Sequence, residues 1–215
     1  MRSLENIGSE KLVKRILDVG RLRTFQTGER IFSEGDPAEF LPIVLNGKIK
    51  VVRFLDQGKE VIINIFQNGE IFAIPPVIDG KRYPATAIAM DVSKMLLIYR
   101  QDFLMLTERS EEFSSMTVER MCLLLRETTS SITNLLTASS ERRVGNVIVR
   151  LAKKDGGNGP IKIALRRQDI ADMAGLTTET TIRAIRRLAD KTAITILRGK
   201  IIVEDLKNLE AFLSA

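Results

Sequence analysis

The first residues alternate between apolar and polar at helical spacing. Leu4, Ile7, Leu12, Ile16 and Leu17 fall on one face and predict an amphipathic helix over 4–19. After Gly20 the pattern changes. Short apolar runs (PIVL, KIKVVRFL, EVIINIF) lie between glycines at 28, 35, 47, 58, 69 and 80, the last four 11 residues apart. Regular turn signals around β-rich runs predict an antiparallel sandwich or barrel over residues 20–100. A solenoid is the competing reading, although the 11-residue units share little beyond glycine. Pro75-Pro76 ends the strand pattern after GEIFAI, and KRYPATAIAM and SKMLLIYR supply two further strands.

From Gln101 to Ser139 the periodicity is helical. Val118, Met121, Leu125, Thr128, Ile132 and Leu135 are spaced 3, 4, 3, 4 and 3, a heptad seam. A core helix of one chain would also carry such a stripe. This one is narrow, contains a threonine and is flanked by Arg126, Thr129 and Thr133, which favours contact between two chains. Cys122, beside the seam, is expected as a small buried thiol. Ser139 or Ser140 can cap a new helix over 141–154, and GGNGP at 156–160 reads as a loop.

The segment RRQDIADMAGLTTETTIRAIRR, 166–187, carries the most specific pattern. Leu165, Ile170, Met173 and Ala174 give one short helix a buried face, and Gly175 suits a left-handed turn. Thr177 can cap a second helix over 178–189, with Ile185, Leu188 and Thr181 or Ile182 inward. Its other face carries Thr178, Glu179, Arg183, and Arg186 or Arg187. Two helices joined at a glycine, the second bearing arginine and threonine outward, form a helix-turn-helix whose second helix suits a major groove. Arginine can donate twice to guanine, and glutamate can accept from cytosine. Glu179 and Arg183 share a face, so they either read a base pair together or form an ordinary surface pair. Beyond Asp190, AITILRGKIIVEDL predicts a hairpin with Arg198-Gly199-Lys200 at its tip, a wing that could touch phosphate or remain a solvated turn.

Charge sharpens this picture. Of 33 Lys+Arg and 27 Asp+Glu, residues 141–215 hold 15 and 9, whereas residues 1–140 hold 18 of each. The whole surplus of six lies in the last third, as expected of a nucleic-acid-binding end on a neutral body. An acidic protein partner for that end is the alternative. Histidine is absent and there is one cysteine, so a Ser-His-Asp triad, an intrachain disulfide and a four-cysteine iron–sulfur cluster within the chain are ruled out. No catalytic constellation appears, and neither an enzyme nor a metal site is expected. The chain has no apolar run approaching a membrane span and its N-terminus lacks a signal-peptide pattern, so a cytoplasmic protein without a membrane partner is expected.

The motifs together resemble the CRP/FNR family of bacterial regulators, typified by the cyclic-AMP receptor protein and the fumarate–nitrate reduction regulator. FQTGERIFSEGD at 25–36, LNGKIKV at 45–51 and NGEIFA at 68–73 fall where that family enters its β-roll and builds its pocket. The Gly turn followed by Thr-x-Glu-Thr and an arginine four residues after the glutamate is matched by Gly175, Thr177, Glu179, Thr180 and Arg183. The resemblance implies an α+β chain. It would have a β-roll sensor with an N-terminal helix at 1–105, a dimerisation helix at 106–138 and a winged helix-turn-helix at 139–215. It implies double-stranded DNA, a second copy, RNA polymerase and an unidentified small effector as partners, with Glu179 and Arg183 on the bases of a TGA-like half-site core. The DNA set is then Thr177, Thr178, Glu179, Thr180, Ile182, Arg183, Arg186, Arg187, Arg198 and Lys200. The effector set is Gly69, Glu70, Arg82, Tyr83, Ala85 and Thr86 from the roll, with Thr128 and Thr129 from the long helix.

Two departures matter. Where cyclic-nucleotide binders carry an Arg-Ser pair for the phosphate, this chain reads Tyr83-Pro84-Ala85-Thr86 after Arg82, and Ala73 replaces a usual glycine. These changes argue against cyclic AMP unless Arg82 stands in. The cysteines of the oxygen-sensing branch are missing, and without histidine haem is not expected, although a gas-sensing member remains an alternative. Thr178 and Ile182 replace an arginine and a serine of the two type members, so the outer half-site bases should match neither.

Overall fold

Backbone preferences explain how the chain is divided. In the computed structural model the described residues are 7–55, 60–155 and 159–214; Leu4, Gly58 and residues 156–158 lie outside them. Helix α1 spans Glu10–Val19, shorter than the expected 4–19, because Ser9 caps it with a hydroxyl that accepts from the Leu12 N–H. Its Leu12 and Ile16 are buried. Seven antiparallel strands follow: β1 (Arg21–Phe25), β2 (Arg30–Phe32), β3 (Phe40–Asn46), β4 (Ile49–Phe54), β5 (Glu60–Phe66), β6 (Thr86–Ala89) and β7 (Ser93–Tyr99). They form two sheets, ordered β1-β7-β3 and β2-β6-β4-β5, as the alternating pattern and glycine spacing predict, and the solenoid reading is set aside.

Pro75-Pro76 does more than end a strand. It begins α2 (Ile74–Asp79), where a proline's fixed φ and missing N–H suit the first turn. The helical stretch after the strands is two helices, α3 (Arg100–Arg109) and α4 (Glu111–Thr137), broken at Ser110. The described contacts divide the chain into units 1–127 and 128–215. The first has a core of aliphatic side chains with seven aromatic rings, Phe25, Phe32, Phe66, Phe72, Tyr83, Phe103 and Phe113, among its buried members.

The second unit holds α5 (Ser140–Asp155), β8 (Ile161–Ile163), α6 (Arg167–Ala174), α7 (Thr178–Lys191), β9 (Ile194–Leu197), β10 (Lys200–Val203) and α8 (Leu206–Ser214). Val144, Ile148, Ile170, Ile185, Leu188, Ile201 and Leu209 form its core. Gly145 lets α5 approach α8, since a Cβ there would lie 2.5 Å from a Leu213 methyl. The expected hairpin is β9–β10, joined by Arg198-Gly199 with φ of 49° and 76°, the positive pair of a tight primed turn. Strand β8, pairing with β10, and α8 were not foreseen from the pattern.

Candidate nucleic-acid interface and effector pocket

The helix-turn-helix is assembled by local chemistry. Asp169 accepts from the Arg166 N–H at the start of α6 (3.1 Å), and Gly175 closes α6 in the left-handed region (φ 62°, ψ 38°). Thr177 caps α7, its hydroxyl accepting from the Thr180 N–H (3.2 Å) and donating to the Thr180 hydroxyl (2.9 Å). Thr181, Ala184, Ile185 and Leu188 are buried, so Thr181 rather than Ile182 completes the inner stripe.

This packing leaves Glu179, Arg183 and Arg186 exposed on the other side. Among the described residues none of the three makes an ion pair or side-chain hydrogen bond, so their donors and acceptors stand open to a partner. The alternative of an internal Glu179–Arg183 pair is not the arrangement found. Thr178 is tied to Gln168 of α6, whose amide donates to Asp172 (2.7 Å). Ile182 is half-buried. Arg187, expected on the DNA face, turns back to α5, where Glu141 accepts from it (3.2 Å) and from Lys191 (3.3 Å).

At the wing, Arg198 and Lys200 are exposed and Arg167 donates to the Gly199 carbonyl (3.1 Å). Sequence reasoning missed Lys162, which stands on β8 beside Lys200 and carries a pKa lowered by that ammonium. Among the described residues none of Lys162, Arg198 and Lys200 has a carboxylate partner. Two neighbouring ammonium groups repel, and an anion beside them would relieve that repulsion. The alternation IKI after Pro160 was the available signal for Lys162, but three residues are too few to separate a strand from a loop.

The effector set does not converge as expected. Glu70 accepts from the Gln67 N–H (2.8 Å) and pairs with Arg120 of α4 (2.6 Å), both side chains largely buried. Seven residues on, Glu127 accepts from the amide of Asn64 (3.3 Å). Asn64 follows a bulge at Ile63, where β4 and β5 lose register, and such a bulge re-aims the side chains around it. Arg120, Asn64 and Glu127 were missed because their pairing joins residues 50 and more apart. The Arg120 Nε is buried and has no acceptor among the described residues.

Arg82 is exposed and donates to the Gly35 carbonyl (2.6 Å). Tyr83 belongs to the core rather than a pocket wall. Its ring stacks on Phe32 (3.7 Å between centroids), its hydroxyl donates to the Phe40 carbonyl (2.6 Å), and burial pushes its pKa up to about 12. Ala85 and Thr86 are buried, with the Thr86 hydroxyl accepting from the Glu34 N–H (2.9 Å). Gly69 and Ala73 both adopt positive φ (82° and 60°); for alanine this is strained, which explains why a glycine suits position 73. Thr128 and Thr129 are exposed and begin the second unit.

On α4, Val118, Leu125 and Ile132 are 51%, 68% and 53% exposed, an apolar stripe of the kind expected at an interface. Met121 instead packs on the roll core with Leu124, and the exposed Cys122 and Thr129 fall between the stripe residues, so the buried thiol expected at 122 is not found. The side chain of Leu135 lies outside the described residues. Among the described residues no helix is long and apolar enough to cross a membrane, and no group of three or more His, Cys, Asp or Glu could hold a metal ion.

Comparison with known proteins agrees with this geometry. The cyclic nucleotide-binding domain family matches residues 22–110, and the Crp-like helix-turn-helix domain family matches 142–212. The cyclic AMP receptor protein of Thermus thermophilus is 26% identical over 188 residues, 87% of this chain and 86% of that protein. The nitrogen fixation regulation protein FixK of Rhizobium meliloti is 25% identical over 194 residues, 89% and 85% of the two. The structure of FixK2 from Bradyrhizobium japonicum has the same fold (TM-score 0.80, 20% identity), covering 90% of this chain and 96% of that one. An N-terminal β domain of the cyclic-nucleotide-binding type, a long helix and a Crp-like helix-turn-helix with a small sheet occur here in one order, and the chain belongs to the CRP/FNR family of DNA-binding transcription regulators.

Proposed function

We propose that the protein is a cytoplasmic homodimeric regulator that reads a palindrome with TGA-like half-site cores. The observation that carries this reading is the face of α7 on which Glu179, Arg183 and Arg186 are exposed and without partners among the described residues. Glu179 accepts from a cytosine amino group and Arg183 donates to a guanine, while Thr177, Thr178, Thr180 and Ile182 border them. Lys162, Arg198 and Lys200 hold flanking phosphate. The exposed stripe of Val118, Leu125 and Ile132 pairs two chains, which sets two recognition helices about 34 Å apart, one turn of duplex. The division into 1–105, 106–138 and 139–215 follows these roles, and RNA polymerase is the further partner of such a regulator.

An effector acts at the junction of roll and long helix, where Glu70–Arg120 and Asn64–Glu127 meet. Arg82 already donates from Nη1 to the Gly35 carbonyl, Tyr83 is sealed in the core and Pro84 offers no donor, which argues against cyclic AMP at this place.

Fluorescence competition between palindromic and random duplexes tests the reading. Wild type should prefer the palindrome by at least a thousandfold, in the range of specific regulators (~10³–10⁷). Arg183→Ala should cost ~1–3 kcal/mol and relax preference at one base pair of each half-site. An Arg183→Ala protein with unchanged selectivity would show that α7 does not read bases through that side chain.

A further inference from the structure

The first turn of α5 grips the helix-turn-helix at two places. Arg143 donates through Nε to the Ala174 carbonyl (2.9 Å) and through Nη2 to the Gly175 carbonyl (2.8 Å). These are the carbonyls at the end of α6 and in the turn, where a helix terminus leaves acceptors unsatisfied and favours a cation. A planar guanidinium can hold two such carbonyls at once, which an ammonium cannot do in a fixed orientation. Two residues earlier, Glu141 accepts from Arg187 and Lys191 (3.2 and 3.3 Å), far along α7. Its side chain is only 19% exposed. The exposed readers Glu179 and Arg183 lie between these two grips.

We propose that Arg143 and Glu141 are positioning residues for base reading: one holds the turn ahead of α7, the other holds its C-terminal half, and together they set the angle at which the helix is presented. This rests on α7 being the reading helix. Neither residue reads DNA itself. The Arg143 donors named here are spent on protein carbonyls, and Glu141 is an anion whose acceptors are taken. A rod held at one point pivots; held at two it does not. Both grips lie within four residues of Ser139, where α5 begins after the long helix, so a change in the direction of that first turn moves both ends of the motif together.

The test uses full-length protein and a panel of duplexes, each altered at one half-site position, with a random duplex measured across a salt series. Arg143→Lys keeps the charge and loses the fork. It should lose about tenfold of its preference for the palindrome, the size of one misread base pair, but spread over every half-site position. Affinity for the random duplex and its salt slope should not change, because no phosphate contact is lost. Glu141→Gln should show the same spread pattern, and serves if Arg143→Lys fails to fold. Position-by-position comparison cancels the uniform effect of removing its charge. The proposal is overturned if preference is unchanged, if the loss falls on a single base pair, if the salt slope drops by about one (a direct phosphate contact), or if specific and random affinities fall together with the melting temperature (a folding defect alone). Arg183→Ala in the same panel separates the two readings: should it lose nothing, α7 is not the reader; should it lose one position while Arg143→Lys and Glu141→Gln lose none, only the clamp fails.

Discussion

Arg183 and Arg187 sit four residues apart on α7 and have different fates. One is exposed without a partner among the described residues, and the other pairs with Glu141. No property of the two side chains distinguishes them; the difference is that α5 passes beside one. Lys162 shows the same rule in reverse. On its own it is one of many exposed lysines, and its meaning comes from Lys200 on the neighbouring strand. Lys162→Ala should weaken binding to palindromic and random duplexes alike and make the salt slope shallower by about one, measured by titration at several salt concentrations. Tyr83 gives a pH test. Its neutral form is favoured by burial, so its ionisation is raised to about 12. Its stabilising contribution is complete below the ordinary value of 10.0, declines as the pH rises above that value and is lost through the raised pKa. Phenolate absorbance should show Tyr83 ionising only well above the ordinary value of 10.0, with unfolding close behind.

At the scale of elements, periodicity located the long helix and the stripe but not its phase. Positions 118, 125 and 132 belong equally to a seam continued through 121 and 128 or through 122 and 129. At the first of these positions the roll decides between them by covering Met121 with Leu124, which leaves Cys122 outward. Leu125, the most exposed of the stripe at 68%, should therefore carry the association. Leu125→Asp should sediment as a monomer with unchanged thermal stability of the roll, since the side chain is outside its core; an unchanged dimer would place the interface elsewhere. The winged motif was readable because its signals are local: a glycine in a left-handed turn, a threonine cap two residues later and a hairpin tip. Strand β8 was not, because three residues carry too little pattern, and the start of α2 at Pro75-Pro76 was hidden because proline both ends strands and begins helices.

At the scale of the molecule, the described hydrophobic residues fall into two separate cores, one in each unit. Calorimetry of the full chain should show two transitions rather than one. Saturating palindromic duplex should raise only the transition of the winged unit, by an amount set by ligand excess (~2.7 kcal/mol at a hundredfold excess over Kd). A single transition, or a shift of both, would mean that the units unfold together. Charge follows the same division: the basic surplus lies in the unit that carries the wing and α7, where it can draw in a duplex from a distance, and the first unit is neutral.

The amino-acid sequence by itself determined the features that depend on neighbours along the chain. These are the strand and helix periods, the glycine turns, the cap of α7, the hairpin and the basic end, all of which are set by backbone geometry and side chains within a few residues. The partners of the charged groups were decided by tertiary structure alone. Arg120 meets Glu70, Asn64 meets Glu127, Arg187 meets Glu141 and Arg143 meets the turn at Gly175 only because strands and helices distant in sequence pack side by side. A charge is costly to bury without its opposite and open to a ligand when exposed without one, so packing, not residue type, separated the arginines that hold this protein together from those left to hold something else.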